Sequence, residues 1–339
     1  MHKIKKPLRI FIFITVVLSA LYFSGPHPST PHYTPALPIV PTDAAGLNAY
    51  VSQMEARHRL KTDNEARIIW ANDSTPGPTE YAIVYLHGFS ASQEEGAPVH
   101  ENIAKKFGCN LYLSRLAEHG IDTTEQLVHL TAEKYWESVK QAYAIGKQLG
   151  KKVILMGTST GGSNALQLAA TFPEVAALVL LSPNIAINDP NAWLTNNPWG
   201  LQIARQVMHS NYVTPKDTTE IYKRYWNSPY RLESIVALQE YLETAMVPAT
   251  FQNVRQPTLM LYYYRDEQHQ DSVVKVSAMK DMFRQLGTPA ALKREKAMPN
   301  TGNHVIGSYI KSNDCTGVEM EITYFLMQVL HMELISRAN

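Results

Sequence analysis

The sequence predicts an α/β domain, a mostly parallel sheet covered by helices on both faces. Three observations carry this. Short apolar runs, too brief for helices, recur at 81–86, 110–114, 153–156, 175–181 and 257–264. Helical runs lie between them. The plainest spans 131–149 and sets Trp136, Val139, Tyr143 and Gly146 on one face. The length of 339 residues fits one large domain with an inserted piece, or two small domains.

At the N-terminus Lys3, Lys5, Lys6 and Arg9 precede a continuous apolar run from Ile10 to Phe23. A basic stretch followed by such a run reads as a secretory signal peptide or signal anchor over 1–24. The run is short for a full span of about 20 residues. No small-x-small cleavage site stands at its end, which favours an uncleaved anchor. A basic flank in the cytoplasm implies that the remainder is exported: membrane-anchored, or secreted if the segment is cleaved. Six prolines between Pro26 and Pro41 make 25–41 an extended linker with no core-forming pattern. The globular domain is expected over 42–339.

Within it, 45–58 reads as helix and 66–71 as a strand ended by the turn cluster Asn72–Pro78. Tyr81–Leu86 is a more apolar strand, Pro98–Phe107 a helix and Asn110–Ser114 a strand. Thr131 caps the helix that follows and Gly150 stops it. Ser163–Phe172 is helical, and Val175–Leu181 is a short buried strand. Between about 183 and 256 the alternation stops. Helical runs at 201–208, 218–226 and 232–245 carry many aromatics, among them Trp193, Trp199, Tyr222, Trp226, Tyr230 and Tyr241. This insertion is placed to act as a lid, with most aromatics packing it and a few lining an apolar pocket. Strand 257–264, helix 273–286, strand 290–298 and a last helix with Val318, Ile322, Phe325 and Val329 on one side complete the domain. The loops beginning at His87, Arg115, Ser159, Ser182 and Arg265 all follow strands. They should crowd one rim, where parallel sheets bind ligands.

Composition excludes other classes. Lys plus Arg total 31 and Asp plus Glu 30, so no electrostatic case exists for nucleic acid. Cys109 and Cys315 make no disulfide framework and show no metal-type spacing; Cys109 is expected to be a buried free thiol. No metal or cofactor is implied.

The chemistry centres on Gly157-Thr158-Ser159-Thr160-Gly161, between the strand at 153–156 and the helical run behind it. A sharp strand-turn-helix strains Ser159 and lifts its hydroxyl clear of the sheet. The helix N-terminus behind it suits an oxyanion. A serine hydroxyl needs a base, and the base needs an acid. His304 follows the last strand and is the expected base; His87, His119 and His269 compete, with His87 placed as a structural residue. The acid is Asp271 or Asp266. Asp271 is favoured because it sits where loop gives way to the helix expected from Val273.

His87-Gly88-Phe89, Gly157–Gly161, Asp271-Ser272-Val273-Val274 and Gly302-Asn303-His304-Val305 together resemble an α/β-hydrolase, in the branch of monoacylglycerol lipases, lysophospholipases and carboxylesterases. The resemblance runs from about Ala66 to the C-terminus. It implies a serine hydrolase of acyl esters, with the N–H groups of Phe89 and Thr160 as oxyanion hole and a small-molecule ester, apolar in its acyl group, as substrate. Thioesterases and peptidases use the same machinery. A haloperoxidase-like or C–C bond hydrolase, or a non-catalytic binding module on this fold, is the remaining alternative. Two departures stand out. Glu118 replaces the first glycine of the family's Gly-His-Gly segment, and the 266–271 loop is longer than usual.

Overall fold

The computed structural model describes residues 6–335. Helix α1 (Lys6–Phe23) is long and apolar enough to cross a membrane, and none of its residues is buried. The basic residues Lys3 and Lys5 lie outside the described residues. Helix α2 (Ala44–Glu55) opens the globular part, its first turn capped by the Asp43 carboxylate. Strands β1 (Arg67–Ile69) and β2 (Thr79–Leu86) follow. Then come α3 (Val99–Phe107), β3 (Asn110–Leu113), α4 (Ala132–Leu149), β4 (Gly150–Thr158), α5 (Thr160–Thr171) and β5 (Ala177–Leu181).

The insertion contains α6 (Gly200–Met208), α7 (Glu220–Tyr225), α8 (Glu233–Ala245) and α9 (Pro248–Asn253). It also holds a small ribbon of β6 (Tyr212–Val213) and β7 (Tyr230–Arg231). Strand β8 (Thr258–Tyr262), α10 (Val276–Gln285), β9 (Lys293–Ala297) and α11 (Cys315–Val329) end the chain.

The seven-stranded sheet runs β1-β3-β2-β4-β5-β8-β9, with only β1 antiparallel to its neighbour. Register aligns the carboxyl ends. Leu86 of β2 lies opposite Gly157, and Thr158 lies opposite Leu181. The loops leaving these strands therefore start side by side. Alternation along each strand feeds two cores. Ile83, Tyr85, Ile154, Met156 and Val179 pack with α3 and α11. Ala82, Val84, Leu155, Leu178 and Leu180 pack with α4, α5, α8 and α10 on the other face. Both faces are covered, as a parallel sheet requires.

Thr131 accepts from the Lys134 N–H as N-cap of α4, and Gly150 ends that helix. Helix α10 departs from expectation by starting at Val276 instead of Val273. Val274 bridges Ile187 instead: Asn188 N–H donates to the Val273 carbonyl and Lys275 N–H to that of Ala186, so these residues are extended and the helix is delayed. Residues 290–292 form a short 3₁₀ turn ahead of β9. Both cysteines are free; burial pushes the Cys109 thiol up to about 12.

The linker needs correction. It is extended, as its prolines dictate, but it is not free of the core. Tyr33 packs edge-on against Trp136 and Tyr241, and its hydroxyl bonds to Thr244 at 2.7 Å. Trp136 donates to the Thr34 carbonyl, Lys140 to that of Ala36, and Val40 joins the core. The segment is a strap across α4 and α8. A truncated chain starting at Pro28 should keep it, and one starting at Thr42 should not. Burying one large side chain contributes about 1.5–3 kcal/mol, so the shorter chain should melt several degrees lower with red-shifted tryptophan emission. Equal melting temperatures would show that the strap adds nothing.

Candidate active site

Strand β4 delivers Ser159 into a turn whose backbone stands at φ 54° and ψ −122°. A side chain rarely tolerates that region, so the surrounding structure must impose it. Three bonds do so. Ser159 N–H donates to the Leu181 carbonyl at 2.9 Å, and its own carbonyl accepts from Gly162 and Asn184, each at 2.9 Å. The turn is also pinched. A Cβ on Gly161 would stand 1.9 Å from the Leu86 carbonyl oxygen, and one on Gly157 would meet the Gly161 backbone at 2.4 Å. Helix α5 begins at Thr160, so its N-terminus lies beside Ser159.

His304 follows β9 and is buried. Its Nδ1 bonds to Asp271 Oδ2 at 2.6 Å. Asp271 is 1% exposed, and its other oxygen is held by the Val273 and Val274 N–H groups at 2.8 and 3.0 Å. Burial works to lower the His304 pKa, but the Asp271 charge and hydrogen bond raise it above the ordinary value. Asp266 lies elsewhere. It is exposed and bonds to the exposed His269 at 2.8 Å, and that bond holds its carboxyl below the usual range. The structure thus joins Asp271 to His304 and gives Asp266 and His269 to each other.

The other two histidines are structural. His87 Nε2 accepts from Leu116 N–H at 3.0 Å while Nδ1 donates to the Gly88 carbonyl. His119 Nε2 accepts from Ser90 N–H at 3.0 Å while Nδ1 donates to Ala117. These bonds need neutral rings, and burial pushes His87 down to about 4 and His119 well below its usual value. Together they fix the loops after β2 and β3. Glu118, where the resemblance expects glycine, sits at φ 66° and pairs with Lys134 at 2.9 Å. The left-handed turn survives without the glycine. Among the described residues the N–H groups of Phe89 and Thr160 donate to no protein acceptor.

Ser159 and His304 line one cavity of about 390 Å³ with Phe89. The insertion supplies Val213, Tyr222, Trp226, Tyr230, Ile235 and Leu238, an apolar wall. Tyr241 belongs to the core instead, while Trp193 and Trp199 face outward. Lys61 ties the insertion to the body by donating to the Trp226 carbonyl at 2.7 Å, and Asn227 N–H donates to Ser90 at 2.6 Å. Sequence reasoning missed two residues here. Asn184 braces the Ser159 turn, and Glu95, 2% exposed, lines the cavity and accepts from Gly88 N–H at 2.5 Å. Nothing in spacing marks either one; only the fold brings them in.

A family model described as alpha/beta hydrolase fold matches residues 81–269, stopping short of Asp271 and His304. A search of curated proteins by sequence finds no match. Solved structures share the fold. A metagenome-derived lipolytic enzyme aligns at TM-score 0.61 and 17% identity, over 79% of this chain and 99% of its own. A monoacylglycerol lipase from Paleococcus ferrophilus aligns at 0.54 and 15%, over 78% and 98%. An enol-lactonase from Burkholderia xenovorans aligns at 0.50 and 14%, over 78% and 96%.

The two aspartates separate by histidine ring NMR. Asp271→Asn should lower the pKa of His304, because it removes the charge that raises it, while Asp266→Asn should leave His304 unmoved. The reverse pattern would contradict the arrangement described.

Proposed function

The chain belongs to the alpha/beta hydrolase fold family, and on that premise we propose that it is a serine hydrolase of carboxylic esters, related in activity to monoacylglycerol lipases or lysophospholipases. One observation carries the reading. A serine in a strained turn shares a cavity with a buried histidine already bonded to a buried carboxylate.

Ser159 Oγ attacks the acyl carbonyl carbon, and His304 Nε2 takes its proton. Asp271 keeps the His304 proton on Nδ1 and stabilises the imidazolium. The N–H groups of Phe89 and Thr160 hold the oxyanion. His304 then returns the proton to the leaving alcohol, water enters, and the same base activates it to release the acid from Ser159. The apolar wall from the insertion, acting as a lid, suits an apolar acyl group. Because α1 is unburied, we place the domain from about residue 42 outside the cytoplasm, tethered through residues 1–24. Esters, thioesters and amides share this machinery, so a substrate panel of graded acyl length decides among them.

Ser159→Ala should reduce ester turnover by roughly three orders of magnitude or more with the fold intact, since the oxyanion site and binding alone remain. Asp271→Asn should cost about four orders of magnitude and Asp266→Asn little. Turnover should also rise with pH through the raised His304 pKa, because the base must be neutral to accept a proton. A folded Ser159→Ala protein that keeps substantial activity would end this assignment. The full chain should sediment with membranes; recovery of all of it in the soluble cytosolic fraction would contradict the tether.

A further inference from the structure

The mechanism above leaves two carboxyls of the cavity without a role: Asp217, which is paired with Lys311, and Glu95, which is buried with no cation beside it among the described residues. Glu95 follows β2 in a short 3₁₀ turn, Gln93–Gly96. Its Oε2 accepts from Gly88 N–H at 2.5 Å. Both its carboxylate oxygens and the Cβ of Ser159 come within 2.9 Å of a single point, the place a Cβ on Gly88 would occupy. The carboxyl and the serine therefore stand together on the face of Gly88 that a side chain would occupy. Gly88 is joined to Phe89, whose N–H donates to no protein acceptor among the described residues. Glu95 holds the N–H on one side of the Gly88 Cα and His87 Nδ1 holds the Gly88 carbonyl on the other, so the two together fix the glycine from which the Phe89 N–H is aimed.

We propose that Glu95 is a positioning residue for the oxyanion site: it holds the Gly88 N–H beside Ser159, fixing the chain one residue before Phe89, and it must be uncharged for negative charge to develop there. The inference rests on the reading of Ser159 as nucleophile. The acceptor role alone would be met by glutamine. A carboxyl differs in that it can become an anion beside the forming oxyanion, in a site where water does not screen it. The groups facing it offer little compensation. Tyr85 from β2, Tyr135 from α4 and Tyr222 from α7 are neutral, their hydroxyls raised by burial. Among the described residues His304 is the group whose charge acts on Glu95, and it is uncharged when poised as a base. Burial accordingly raises the Glu95 carboxyl to about 8, against the smaller pull of the Gly88 N–H. The sign follows directly. Below that value Glu95 is neutral and the site works; above it Glu95 is an anion and the site is opposed.

The test reads the rate at which a fluorophosphonate phosphonylates Ser159, which needs no knowledge of the natural substrate. The full chain in detergent is followed from about pH 6 to about pH 10, as are Glu95→Gln and Glu95→Ala. The wild-type rate should fall by about tenfold or more on the alkaline side, the lower end for loss of an oxyanion contact. Glu95→Gln, which keeps an acceptor for Gly88 N–H, should match wild type at neutral pH and lose the alkaline fall. Glu95→Ala should react at least tenfold more slowly at every pH, with the reversible binding step unchanged and the loss in the bond-forming step. An alkaline fall retained in Glu95→Gln overturns the proposal while leaving the nucleophile in place. A wild-type profile flat to about pH 10 overturns it without any variant. No phosphonylation of Ser159 at any pH removes the hydrolase reading itself.

Discussion

The rest of the site depends on one constraint, the forced backbone of Ser159. At φ 54° and ψ −122° the residue occupies a region that costs of order 1–3 kcal/mol. The fold holds it there through backbone bonds to the end of β5, the loop behind it and the first turn of α5, and through a turn too tight for any side chain at Gly157 or Gly161. The strain has a consequence for function. It separates the serine from both the strand and the helix, so its hydroxyl faces the cavity while the α5 N-terminus stays beside it. A relaxed turn would bury the hydroxyl or leave the helix end aimed elsewhere.

Around that point, burial sorts chemically similar groups into different tasks. His87, His119 and His304 are all buried, and the same desolvation acts on each. Only His304 gains a carboxylate, and only its pKa is raised. The other two, spending both ring nitrogens on backbone groups, become neutral braces for the loops that carry Phe89 and Ser90. Carboxyls divide in the same way. Asp271 has two N–H groups and an imidazole to support its charge, whereas Glu95 has a single N–H and is pushed toward neutrality. Glu95 thus lines the Ser159 cavity as an acid with little support, while Asp271 lies behind His304 with three hydrogen-bond donors around it.

Much of this was legible in the sequence because it is local. The strand-turn-helix around Ser159 depends on adjacent residues, and the α4 cap at Thr131 on residues three apart. Parallel packing with a shared loop rim follows from alternation alone. What escaped is non-local. Asp271 was singled out by a helix expected from Val273, yet the helix starts at Val276 and the carboxylate is fixed instead by two N–H groups of an intervening turn. The linker's prolines concealed that Tyr33 packs on Trp136 of α4 and on Tyr241 and Thr244 of α8, residues far away in the chain, and that Val40 joins the core. Glu95 in a run of polar residues looks like surface, and only the approach of Gly88 to Ser159 makes it part of the site. At Glu118, where the resemblance leads one to expect glycine, the backbone is left-handed, a conformation that glycine would adopt more easily.

The central claim is geometric: one serine, one imidazole and two backbone N–H groups converge on a single reacting carbon. A crystal structure of the protein after reaction with a fluorophosphonate tests it most directly. The account predicts phosphorus bonded to Ser159 Oγ, and a phosphonyl oxygen about 2.7–3.1 Å from both the Phe89 and Thr160 nitrogens. His304 Nε2 should lie within hydrogen-bond reach of Ser159 Oγ. An adduct on another residue, or a phosphonyl oxygen turned away from both nitrogens, would contradict it.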